Sequence, residues 1–285
     1  MKLLSLALMG AGACAASMLP SFEEHPLRNR FYHRCFAHRG LFDNLTSCEN
    51  SISAFRAAAY CGYGIELDLQ MTADGQIVVF HDEDLSRMCG VPLRVEETSY
   101  TELSQHHLGQ TQETIPLFSQ VLEAVGGRVP LIVEIKSTEQ VNCVCLKVYD
   151  LLRRYPGDYC IESMNPIIVG WFAKNEPQIM RGQLATRFRE KSTAAIPAAA
   201  LSNMMFNCLS KPHFIAYDFR YAADSRAFRL CQSCGALTVG WTIREADYPA
   251  AKQLYDAIIF EGFRGNVVLV RSLLVLSFSS TPNET

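Results

Sequence analysis

The feature that most constrains this chain is a rhythm: short apolar segments recur along it, separated by stretches of helical periodicity. Segments 35–37, 64–69, 131–135, 159–164, 179–185, 214–218, 237–243 and 257–261 each read as a buried strand, being short, apolar and bounded by turn residues. Between them, Ile52, Phe55 and Ala59 have helical spacing, with Asn50 or Ser51 as cap and Gly62 as stop. Leu117, Val121, Leu122 and Val125 form a second helical face, ended by Gly126 and Gly127. A third face carries Val141, Val144, Cys145, Val148, Leu151 and Leu152, and Pro166 opens a fourth helix. An Ala-rich helical region up to about residue 209 and helices at 223–234 and 245–254 complete the alternation. Strand, helix and parallel strand form a right-handed crossover, and eight such strands specify a closed α/β TIM barrel, (β/α)8, for which 285 residues suffice. The barrel is expected to span 34–278, with 267–278 as its last helix and 279–285 as a frayed tail.

One connection breaks the rhythm. Only 72–76 separates the second strand from 77–81, and a parallel crossover needs about a dozen residues. Residues 77–81 are therefore expected to return as a small antiparallel arm, with position 81 opposite position 66. A polar loop excursion over 90–112 follows.

The amino terminus stands apart from the barrel. Lys2 precedes an uncharged run, 3–19, that Pro20 ends, and 1–20 is expected to be a signal peptide or membrane anchor. Residues 21–33 read as a polar linker. Positive residues follow the run at Arg28, Arg30 and Arg34, a bias that favours the cytoplasmic face for a retained anchor, whereas a cleaved signal means export. A net charge of -3 with scattered Lys and Arg gives no footprint for nucleic acid. The eleven cysteines lack the spacing of a disulfide scaffold or a four-cysteine zinc site. Most sit in apolar runs as small hydrophobes, and the pair Cys231 and Cys234 lies on a helix face where packing is the simpler reading.

A barrel of this kind gathers its chemistry at the carboxyl ends of the strands. There the sequence places His38 and Arg39, then Glu66 and Asp68, then Glu134 and Lys136, with Glu162, Asp218, Trp241 and Glu261 around the rest of the ring. Residues two apart share a strand face, so Glu66, Asp68 and Glu134 can converge as oxygen ligands for a hard cation such as Ca²⁺ or Mg²⁺. Spacing alone leaves a second reading open, a network of ion pairs to Arg39 and Lys136. His38 and His81, facing one another across these acids, suit an acid and base pair, and Arg39 and Lys136 supply positive charge for a phosphate diester.

These residues together resemble the glycerophosphodiester phosphodiesterase family. The match runs from about 35 to 262 and rests on HRG at 38–40, ENS at 49–51, E-x-D at 66–68, T-x-D-G at 72–75, VVFHD at 78–82, VEIK at 133–136 and WT at 241–242. The resemblance implies a (β/α)8 barrel and hydrolysis of glycerophosphodiesters to sn-glycerol 3-phosphate and an alcohol. It further implies one divalent cation on Glu66, Asp68 and Glu134, His38 and His81 as the acid and base pair, and Arg39 and Lys136 on the phosphate. Glu49 is then expected to support the metal or a substrate hydroxyl, and Trp241 to line the pocket. Cys48 stands where a proline commonly precedes the Glu-Asn pair, and Phe260-Glu261 where the last strand often carries Thr-Asp. A lysophospholipase D or phospholipase C-like enzyme acting on membrane lipids is the nearest alternative, since the apolar run lies beside the catalytic domain. A tethered scaffold without activity is the alternative from another class.

Overall fold

The computed structural model describes residues 12, 15–188 and 198–266. Its strands are β1 (Cys35–Ala37), β2 (Gly64–Met71), β3 (Ile77–Val79), β4 (Leu131–Ile135), β5 (Tyr159–Ser163), β6 (Arg181–Ala185), β7 (Phe214–Asp218), β8 (Leu237–Ile243) and β9 (Ala257–Phe260). They form one sheet in the order β1-β9-β8-β7-β6-β5-β4-β2-β3, and pairing of β1 with β2 closes it. All pairings are parallel except that of β3, which returns along β2, so eight parallel strands enclose the lumen as the alternation implies.

Local signals set most helix ends. Ser51 starts helix Ile52–Tyr60 by accepting from the Ala54 amide at 3.2 Å, and Gly126 ends Phe118–Val125 in the left-handed conformation. Pro166 stands at the start of Pro166–Asn175, capped by Asn165. Several boundaries differ from expectation. The helix expected over 223–234 starts later, at Arg226, and runs to Ser233, because the Ser225 hydroxyl caps it by accepting from the Phe228 amide, and a separate short helix, Phe219–Ala222, precedes it. Residues 245–247 form a 3-10 turn before helix Tyr248–Leu254. Strand β6 starts at Arg181, not at 179, because the Ile179 amide donates to Glu176 and stays in the preceding turn.

Side chains alternate along each strand between two apolar cores. Ile65, Leu67, Leu131, Val133, Ile161, Ile215 and Ile258 face the helices. Phe36, Ile132, Cys160, Leu184, Phe214, Ala216, Val239 and Ile259 fill the lumen. Two rings dominate that lumen, and each needs a glycine on the adjacent strand. A Cβ at Gly64 would lie 2.3 Å from the Phe36 ring, and one at Gly182 would lie 2.1 Å from the ring of Phe214.

The segment 21–33, read from sequence as a polar linker, is packed onto the barrel. Phe31, on the short helix Arg28–Phe31, is buried and stacks on Phe36 with ring centroids 5.6 Å apart, while Leu27 and Tyr32 pack on the same lumenal cluster. His25 is also buried, its ring bonded to the Gln178 carbonyl at 2.8 Å. The polar residues of the stretch hid one apolar anchor that plugs the amino-terminal end of the lumen.

The arm exists, in a register one place from the one expected. Val79 pairs with Leu69, Val78 with Gln70 and Ile77 with Met71, so continuation would bring residue 81 opposite 67 rather than 66. Thr72 bonds Gln76 and Asp74 within the turn, which fixes that offset. The last bond of the ladder runs from the Phe80 amide to Asp68 O at 3.0 Å, and His81 leaves the arm just beyond it.

Residues 267–278, expected as the last helix, the tail at 279–285 and most of the apolar run 3–19 lie outside the described residues. Among the described residues no helix is long and apolar enough to cross a membrane. Of the CxxC pair, Cys231 is buried, with its Sγ 3.2 Å from Met18 O.

The lumenal glycines carry a stability test. G182A should destabilise the barrel by about 1–3 kcal/mol through overpacking. Urea unfolding should show part of that loss recovered in G182A combined with Phe214→Leu.

Candidate functional site

The carboxyl end of the lumen is charged where the amino end is apolar. Glu66 and Asp68 project from β2 and Glu134 from β4, in a register that sets Asp68 beside Glu134. All three are buried, and an oxygen of each lies within 4.8 Å of the others. On the far side of Glu134, its register partner Glu162 of β5 is also buried, with Oε2 lacking a partner among the described residues.

Four acids in so small a volume cannot all carry charge without compensation. Burial, helped by Asp68 and Glu134, pushes Glu66 well above the usual carboxylate range. Burial also takes Glu134 up to about 7, against the pull of Lys136, and Glu162 rises through burial and the field of Glu134. Asp68 goes the other way: burial would raise it, but Lys136 and Arg39 hold it well below the usual range. Lys136 Nζ lies 2.6 Å from Asp68 Oδ1 and 2.8 Å from Glu134 Oε2, and Arg39 Nε lies 3.3 Å from Asp68 Oδ2. Two fixed cations therefore serve a group of four acids, and the ion-pair reading reaches Asp68 and Glu134 but gives Glu66 and Glu162 no ion pair with Lys or Arg among the described residues. An all-oxygen donor set with this surplus of negative charge fits a hard divalent cation.

The loop after β1 is shaped to reach the same place. Arg39 and Asn50 both have positive φ, 55° and 57°, and the Asn50 amide donates to Arg39 O at 2.8 Å. The Arg39 amide donates to Glu66 Oε2 at 3.0 Å, and Asn50 Nδ2 donates to Asp68 Oδ2 at 2.8 Å. Gly40 allows this path: its φ is +87°, and a Cβ there would meet that of Ala54 at 2.8 Å. The motifs HRG and ENS thus become one hydrogen-bonded unit that orients two of the three clustered acids.

Each histidine is held through its Nδ1 by a carboxylate. His38 Nδ1 donates to Glu261 Oε2 at 2.5 Å and His81 Nδ1 donates to Asp82 Oδ1 at 2.7 Å. A carboxylate can only accept, so Nδ1 carries the proton in both rings and Nε2 is left as the basic nitrogen. His38 Nε2 sits 3.9 Å from Glu66 Oε2. Burial lowers the pKa of both imidazoles, opposed in His38 mainly by Glu261 and in His81 mainly by Asp68. Among the acids, Asp68 is the one that most offsets the effect of burial on His81.

Glu49 does not stand on the acid cluster. Its oxygens accept from Arg39 Nη1 at 2.7 Å and from Arg87 at 2.7 and 3.0 Å. Trp241 lies half-buried against the lumenal cluster, and its indole N–H is buried without a partner among the described residues, a donor suited to a ligand oxygen. Glu261, the departure on the last strand, holds His38 and pairs with Arg244 at 2.7 Å. The His38 bond brings its carboxyl down to about 2 against the effect of burial. The sequence marked Asp82 only as the letter after His81, and Arg87 carried no signal at all.

Cation binding is testable without turnover. A carboxyl with its folded pKa above the unfolded one favours folding at low pH, and that contribution fades as pH rises through the folded value, about 7 for Glu134. The cation-free cluster is therefore most strained near pH 8, and Ca²⁺ or Mg²⁺ should raise the thermal midpoint there more than near pH 5.5. At a hundredfold excess over Kd the gain should approach ~2.7 kcal/mol, and E134Q should lose most of it. A midpoint indifferent to both cations near pH 8 would remove the metal reading.

Comparison with known proteins bears on the family and the fold. The model of the glycerophosphoryl diester phosphodiesterase family matches residues 38–262. A glycerophosphodiester phosphodiesterase of Bacillus altitudinis is 35% identical over 131 residues, covering 44% of this chain and 48% of the relative. The lysophospholipase D GDPD1 of Homo sapiens is 32% identical over 155 residues, covering 49% of this chain and 47% of the relative. The chain thus matches about half the length of these relatives. In fold it is similar to an Oleispira antarctica phosphodiesterase solved with the product sn-glycerol-3-phosphate, at TM-score 0.66 and 20% identity over 82% of this chain and 94% of that one. A glycerophosphodiester phosphodiesterase of Parabacteroides distasonis has TM-score 0.64 at 21% identity, over 81% of this chain and 93% of that one. The chain belongs to the glycerophosphoryl diester phosphodiesterase family.

Proposed function

We propose that this protein hydrolyses glycerophosphodiesters to sn-glycerol 3-phosphate and an alcohol, with Glu66, Asp68 and Glu134 holding Ca²⁺ or Mg²⁺. The observation that carries the reading is the pairing of two carboxylate-held histidines with a buried acid cluster that Arg39 and Lys136 only partly neutralise. When bound, the cation supplies Lewis-acid stabilisation of the charge that gathers on the phosphoryl oxygens.

The chain's own groups do the rest. Arg39 and Lys136 orient the diester by its nonbridging oxygens, and the Trp241 N–H offers one further donor. One histidine takes a proton on Nε2 from the attacking oxygen, either water or the neighbouring hydroxyl of the glycerol, the latter closing a cyclic phosphate that water opens in a second, similar step. The other, which starts as the imidazolium, gives its Nε2 proton to the departing alkoxide, so a P–O bond forms as another breaks, the positive charge passes from the second ring to the first, and proton exchange with water resets the pair. Glu261 and Asp82, accepting from Nδ1, favour whichever imidazolium is present. Glu49 acts by fixing the Arg39 guanidinium.

A second reading, lysophospholipase D action on membrane lipids, draws support from the relative of that name and from the uncharged run 3–19, which would keep the barrel at a membrane, on its cytoplasmic face. Water-soluble glycerophosphodiesters and lysophospholipid micelles, offered in parallel, separate the two.

His38→Ala and His81→Ala should each lower kcat by about 10²–10⁴ while KM stays within a few-fold. Chelator should abolish turnover of the parent protein. Full activity in H81A would overturn the acid and base assignment, and no alcohol released from any diester would favour an inactive scaffold.

A further inference from the structure

The loop excursion after β3 contributes one side chain whose contacts reach both halves of the site. Arg87 lies on the four-residue helix Ser86–Cys89. Its Nε donates to Asp82 Oδ2 at 2.6 Å, and Nη1 and Nη2 donate to Glu49 Oε2 and Oε1 at 3.0 and 2.7 Å. The other oxygen of Asp82 accepts from His81 Nδ1 at 2.7 Å. Glu49 Oε1 also accepts from Arg39 Nη1, again at 2.7 Å. One guanidinium therefore bridges the carboxylate that holds a histidine and the carboxylate that holds the phosphate-facing arginine.

We propose that Arg87 is a positioning residue, acting through Asp82 on the His81 imidazole and through Glu49 on the Arg39 guanidinium. The role rests on the phosphodiesterase reading above. Only a planar fork serves both acids at once: three N–H groups point in two directions, and a lysine ammonium at the end of its stem reaches one carboxylate at a time. Without Arg87, Asp82 keeps its bond to His81 but loses its second anchor, so the ring's orientation becomes one of several. Glu49 likewise keeps Arg39 but can swing with it.

Folding does not depend on this side chain. Arg87 is 49% exposed, and ion pairs so open to water add little stability. The excursion is held instead by Leu85, Met88, Val95 and Leu103, all buried in a separate apolar cluster, and by a bond from the Leu85 amide to Leu93 O at 3.0 Å. Substitution should therefore leave the barrel folded while loosening the site.

The test compares the full-length parent with R87A and R87K on a water-soluble glycerophosphodiester, with and without millimolar guanidinium. R87A should lose on the order of ten- to a hundredfold in kcat, as removal of groups that orient catalytic residues does elsewhere. KM should rise because Arg39 is less fixed, the melting midpoint should stay within a few degrees, and guanidinium should restore kcat several-fold. R87K should recover only part of the activity and gain nothing from guanidinium. A kcat for R87A within twofold of the parent overturns the role. So does a loss that guanidinium cannot rescue and that tracks a fall in melting midpoint. A parent inactive on every diester overturns the phosphodiesterase reading and this role with it, whereas an active parent beside an unimpaired R87A overturns this role alone.

Discussion

The contact on which the site depends is the ion pair between Lys136 and Asp68. Burying a carboxylate at the end of an apolar barrel costs several kcal/mol unless a cation meets it, and Lys136 meets Asp68 from the adjacent strand. Burial, joined by the charge that Asp68 thereby keeps, moves Glu66 and Glu134 toward their neutral forms, and the cluster stays poised for a further positive charge. The geometry of β2 and β4 is what creates this imbalance. Side chains two apart face the lumen, so Glu66 with Asp68 and Glu134 with Lys136 arrive as two facing pairs, three acids and one base.

The two histidines show one chemical solution reached by two structural routes. His38 directly follows β1 and is held across the barrel seam by Glu261, the residue that follows β9. His81 stands beyond the end of an arm and is held by its own sequence neighbour. Closure of the barrel between β1 and β9 is therefore a condition for orienting the first histidine, while the second depends on the turn at 72–76 and on what anchors Asp82.

The alternation of apolar runs makes the barrel legible in the amino-acid sequence, because parallel strands buried on both faces read as continuous hydrophobic segments. The lumenal acids are legible for the same reason, as charges interrupting such segments. The arm is legible as an arm but not in register, since one residue of offset depends on how Thr72 bonds across the turn. Phe31 is hidden in a stretch of polar residues, where a single aromatic gives no period to detect. Arg87 is hidden for a different reason: its meaning lies in contacts 5 and 38 residues away, to partners on separate segments, and no local pattern carries that.

Phe31 has a consequence for traffic through the molecule. Stacked on Phe36 and joined by Leu27 and Tyr32, it stoppers one end of the lumen, while the described acids and histidines lie toward the other. Among the described residues the lumen is a packed apolar core closed at that end, with its charged groups toward the other. On the proposed function, a diester would have to meet the acids and histidines from the strand ends that carry them, because the opposite end is stoppered by Phe31.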